Sequence, residues 1–83
     1  MMNRAEIDKV LRSLELTEPE KWVIKWQFGL LGDFQTALSA AIKSADETNL
    51  ARLELGFPVQ VGGFREWAFG GMGTRLRERG VDI

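Results

Sequence analysis

The chain has no cysteine, no histidine, no tyrosine and only two prolines. Without cysteine, neither a disulfide nor a thiolate metal site can form. Without histidine, the commonest transition-metal ligand and the commonest general base are both missing. No apolar run approaches the length of a membrane span. The most apolar stretch, Trp22 to Leu31, is interrupted by Lys25 and Gln27 and falls short of the roughly 20 residues a spanning helix needs. The N-terminus, MMNRAEIDKV, is charged and carries no apolar signal-peptide core, so a cytoplasmic protein without a membrane partner is expected.

Strong charge of either sign is also lacking. Eleven basic and twelve acidic residues leave a net charge of −1, which argues against nonspecific duplex binding. Residues 1–20 carry three basic against five acidic side chains, and residues 61–83 carry four against three. At 83 residues the chain reads as a single helical domain, of a size that buries only about 60% of its unfolded surface. With disulfides and thiolate sites excluded, self-association is the remaining aid to stability.

Helix signals, in contrast, are plentiful. Ile7, Val10, Leu11 and Leu14 fall at i, i+3, i+4 and i+7, predicting a first helix over about Arg4 to Glu15 with Asn3 as its cap. Thr17 and Glu20 have capping-box spacing, and Pro19 falls in the first turn of a second helix expected over Glu18 to Leu31. That helix is apolar over more than half its circumference, which makes it either the central helix or a partner surface. Gly32 reads as its stop and Asp33 as the next cap. The third helix starts at Phe34, with Phe34, Leu38, Ala41, Ile42 and Ala45 on one face and Gln35, Ser39, Lys43 and Ser44 outward.

The apolar stripe then slips, since Leu50 and Leu53 do not lie beneath Phe34. A break at Asp46–Asn49 follows, with Asp46 capping a helix over about Glu47 to Leu55 that Gly56 ends as its C′ residue and Pro58 blocks. Val59 to Val61 admits either a strand or the start of a helix. The helix is preferred, because no second strand exists to pair with it, although Gly62 and Gly63 weaken it by about 1 kcal/mol each. Val61, Phe64, Trp67 and Ala68 would be its buried face. Gly70-Gly71 ends it, and a last helix runs from Met72 to Arg79 and stops at Gly80. The expected fold is all-α, a compact bundle of five to six short helices.

Catalytic chemistry finds little purchase. Asp33 and Asp46 have capping roles, Glu47 and Glu54 sit one heptad apart on a solvated face, and Ser13, Ser39 and Ser44 have no base beside them. Gly70–Gly73 lacks the spacing of a phosphate loop. The third helix offers only Lys43 as a cation, so a helix-turn-helix reading is disfavoured. Neither an enzyme nor a cofactor-binding protein is expected.

What stands out is five phenylalanines and three tryptophans in so short a chain. Most of these rings must be core, but at least one of Trp22, Trp26 and Trp67 is expected at an interface or stacked on a planar ligand. Arg75 and Arg79 share a helix face, and the macrodipole accounts for Arg77 and Arg79. Arg65 and Arg75 are the better anion-binding candidates. The candidate site residues are therefore Trp22, Trp26, Arg65, Trp67 and Arg75. For a nucleotide-like ligand, Trp67 or Trp22 would stack the base and the two arginines would meet phosphates.

The residues GDF..AL..AI..AD..NL.RLE.GFP..V..F..W, followed by a glycine turn and LRERG, resemble small uncharacterised proteins encoded by phages and prophages. The resemblance covers about Trp26 to Ile83. Such relatives carry acidic or alanine residues in place of Val59 to Gly63, which supports a helix after Pro58. The resemblance implies no functional residue. It implies a context: small phage accessory proteins that counter host defence by plugging a host protein or by sequestering a nucleotide signal as oligomers, or that assist virion assembly. The resulting expectation is a non-enzymatic, self-associating binder of a host protein or nucleotide-like signal. A phage structural or assembly protein and a nucleic-acid accessory are the alternatives.

Overall fold

The computed structural model describes residues 2–83 and contains six α-helices and no strand among them. They are α1 (Arg4–Ser13), α2 (Glu18–Gln27), α3 (Asp33–Ser44), α4 (Glu47–Gly56), α5 (Pro58–Phe69) and α6 (Met72–Glu78). The all-α expectation holds, and the segment after Pro58 is a helix rather than a strand.

Local chemistry accounts for most helix starts. Asn3 and Glu6 form a capping box at α1, and Thr17 and Glu20 form another at α2. At α4 the Asp46 side chain accepts the Asn49 N–H at 2.8 Å. The start of α3 departs from expectation. Gly32 is its N-cap, with no side-chain cap bond, and Asp33 is the first helical residue. There its negative charge complements the positive end of the helix dipole without closing a cap.

The end of α2 also departs from expectation. The helix stops at Gln27, four residues before Leu31, because Gly29 adopts a φ of 69°. The Leu30 N–H then donates to the Lys25 carbonyl and the Gly29 N–H to the Trp26 carbonyl, the two bonds of a Schellman motif. The same pair of bonds closes α6 at Gly80, where Val81 donates to Leu76 and Gly80 to Arg77. Gly56, expected as a C′ residue, instead lies within α4, and Phe57 caps the helix.

One core cluster gathers Ile7, Trp22, Val23, Ile24, Leu38, Ile42, Leu50, Val61, Met72, Leu76 and Val81. The hub is α5, which packs against α2, α3, α4 and α6. Its seam with α2 is close because of Gly63: a Cβ there would stand 3.1 Å from the Pro19 carbonyl oxygen and 3.1 Å from Val23 Cγ2. Gly62, its neighbour, faces open space. The buried face of α5 is therefore Val61 and Gly63, with Phe64 and Trp67 half-buried and Ala68 exposed, rather than the full aromatic stripe expected.

The third helix is turned relative to expectation. Leu38, Ser39 and Ile42 are buried, whereas Phe34 and Ala41 are exposed. Ser39 is accommodated because its hydroxyl donates to the Thr36 carbonyl at 2.6 Å. Gln35, expected outward, is half-buried in the same rotation.

Candidate functional site

The expected site residues do not converge on one ligand position. Trp22 is buried, and its Nε1–H donates to Gln35 Oε1 at 2.9 Å. Arg65 turns toward α4, where it meets Glu47 at 3.4 Å and Glu54 at 3.8 Å. Arg75 binds Glu66 at 3.4 Å and donates to the Gly70 carbonyl at 3.0 Å. Arg65 and Arg75 are thus both engaged by carboxylates of the chain itself. Their charge is partly matched within the chain, which weakens either guanidinium as a phosphate site.

Half-buried Trp67 packs elsewhere, over Gly73. A Cβ on Gly73 would stand 3.2 Å from Trp67 Cζ3 and 3.1 Å from Arg77 Nη1, so the ring and this guanidinium crowd the same point. Arg77 also donates to the Ile83 carbonyl and to Thr74 Oγ1. Arg79 does more than complement a dipole. It donates to the Glu15 carbonyl at 2.7 Å and lies 4.0 Å from buried Glu20, tying α6 to the α1–α2 junction. Sequence spacing gave no signal for that bond, whose partners are 64 residues apart.

Two of the expected residues do come together. Trp22 and Trp26 have ring centroids 5.6 Å apart, Trp26 and Phe64 6.3 Å, and Phe64 and Phe69 6.4 Å. These separations lie within the range of favourable ring pairs. The ladder begins at an indole only 7% exposed and ends at a phenyl ring 78% exposed. Phe69 was missed as a site residue because its position at the end of α5 is indistinguishable in sequence from a helix-end core ring. A second exposed ring, Phe34, lies 6.0 Å from Phe57 near the opposite end of α5. Leu55, two residues before Phe57, is exposed as well.

A cleft of about 310 Å³ opens between one side of α2, from Glu18 to Lys25, and the first turns of α3 and α5. Glu18, Lys21, Trp22, Lys25, Gln35, Val59 and Gln60 line it. At its floor Gln35 Oε1 accepts from both Trp22 Nε1 and Gln60 Nε2, the latter at 3.3 Å. Among the described residues, no cluster of three or more acidic, histidine or cysteine side chains is arranged to hold a metal.

No protein-family model matches this chain, and no significant match to it was found among curated proteins or solved structures. The functional reading therefore rests on the surface just described.

Proposed function

We propose that the protein is a non-enzymatic accessory protein of the phage type that binds and neutralises a protein component of host defence. The observation that carries this reading is the aromatic ladder Trp22–Trp26–Phe64–Phe69, which leads from the core to the surface. A ring held at one end by packed rings and bare at the other loses little freedom on docking. Anchors of that kind supply most of the binding energy in protein interfaces. Engagement of Arg65 and Arg75 by carboxylates favours a protein partner over a nucleotide signal. Self-association belongs to the same proposal, since exposed Phe34 and Leu55 offer a second apolar contact away from Phe69.

The test is phage plating on hosts that each carry one defence system, with and without this chain expressed. Plating should be restored on at least one host. Phe69→Asp should abolish the rescue while the chain stays folded, with its helical circular dichroism retained and stability lowered by no more than about 1–2 kcal/mol through loss of the Phe64 ring pair and the charge at the end of α5. Rescue that survives Phe69→Asp removes the ladder as the contact surface. No rescue on any host, together with co-sedimentation of the chain with virions, would support the assembly alternative.

A further inference from the structure

We propose that the cleft between the side of α2 and the first turns of α3 and α5 binds a small organic anion, a carboxylate or phosphate ester carrying a flat apolar body. This site shares only buried Trp22 with the ladder, whose docking contact is exposed Phe69, so failure of either reading leaves the other standing.

The inference starts from an amide whose orientation is fixed by chemistry. An indole N–H donates and cannot accept. The Gln35 atom that Trp22 Nε1 meets at 2.9 Å must therefore be the carboxamide oxygen. Gln60 Nε2 approaches that same oxygen at 3.3 Å, so Gln60 also has a defined orientation. Two donors thus converge on one acceptor, and the Gln35 amide nitrogen is left with its two N–H groups directed away from that oxygen. No hydrogen bond from Gln35 Nε2 forms among the described residues, and it is not sealed from solvent.

The rest of the lining extends this surplus of donors. Lys25 is exposed on the rim and forms no ion pair among the described residues, while Lys21 is shared with Glu18 at 3.2 Å. Lining charges from Lys21, Lys25 and Glu18 leave the cleft net positive. Among the described residues lining the cleft, the one amide acceptor left uncommitted is Gln60 Oε1. A ligand that fits this arrangement brings acceptors, and negative charge is matched by the lysine ammonium groups. Half-buried Val59, with the small part of Trp22 that reaches the cleft, supplies an apolar side next to the anionic group. The volume is at the lower end of the range for small-molecule sites, which limits the occupant to about the size of a single substituted ring.

The experiment is an NMR titration of the full chain with benzoate, phenyl phosphate and neutral benzamide, each at constant ionic strength. Benzoate or phenyl phosphate should shift the Trp22 indole N–H and the Gln35 and Gln60 side-chain amide signals with millimolar affinity. If only benzoate does so the ligand is a carboxylate, and if only phenyl phosphate does so it is a phosphate ester. Lys25→Gln should weaken binding up to about fivefold, the scale of one exposed ion pair. Gln35→Glu should abolish it by replacing two donors with a charge of the wrong sign. Shifts from benzamide as large as those from benzoate would overturn the anion assignment. Absence of shifts at these three residues with either anion would overturn the site.

Discussion

Along the seam between α2 and α5, buried Trp22 and Val23 face Gly63, which lets the two backbones approach, and Ile24 beside them is buried as well. Along the flank built from α3 and α4, burial is confined to Leu38, Ser39, Ile42 and Leu50, while Ala37, Ala40, Ala41 and Leu55 face solvent. The seam gains its stability from shape, including the absence of one side chain. The flank is held by a few apolar anchors, the Asp46 cap and the ion pairs of Arg65 with Glu47 and Glu54. Close-packed surfaces punish small changes of volume, whereas exposed ion pairs are screened and individually weak.

Substitutions ranked by size would break or sharpen that contrast. Ile24→Ala, at a fully buried position of α2, should lower the unfolding free energy by about 2–5 kcal/mol in chemical denaturation. Gly63→Ala should destabilise by about 1–3 kcal/mol, because the new methyl group meets the Pro19 backbone as well as the Val23 side chain. A neutral result there would mean that α2 and α5 can separate without loss. Gly62→Ala should do the opposite and raise stability by about 0.5–1 kcal/mol, since its Cβ meets nothing and alanine favours the helix. Opposite signs at two adjacent glycines would locate the seam on one side of α5. The smallest effect is expected on the flank: Arg65→Gln should cost at most about 1 kcal/mol and less at high salt. A salt-independent loss larger than that would place Arg65 in the core of the fold rather than at its edge.

Much of the fold was legible in the chain. The Thr17–Glu20 capping box and the Asp46 cap mark real helix starts, and the slip of the apolar stripe near Asp46 marks a real break between α3 and α4. The segment hardest to read, Pro58 to Gly71, contains the hub. It shows no clear apolar stripe because a helix contacted on several sides has no single apolar face, and its glycine pair reads as a defect until Gly63 is seen against Pro19. The end of α2 was misplaced because Gly29 and Gly32 both resemble stops, and only backbone geometry distinguishes them.

The candidate site was less legible. Aromatic surplus pointed toward Trp22 and Trp26, which do stand at the root of the ladder, but Phe69 gave no separate signal. Arginine spacing suggested an anion site that the carboxylates of Glu47, Glu54 and Glu66 occupy instead. Gln35 was read as an outward residue, yet it organises the cleft floor.

The amino-acid order by itself determined that this is an all-α chain, where most of its helices begin, and that α3 and α4 are separate. Those properties arise from neighbours within four residues, through capping bonds, backbone propensity and side-chain periodicity. Only the tertiary structure decided which face of α3 turns inward, which glycine is irreplaceable, and which cations remain available to a ligand. Each of those depends on a partner distant in sequence, as Gln35 depends on Gln60 and Arg79 on Glu15, and periodicity carries no information about such partners.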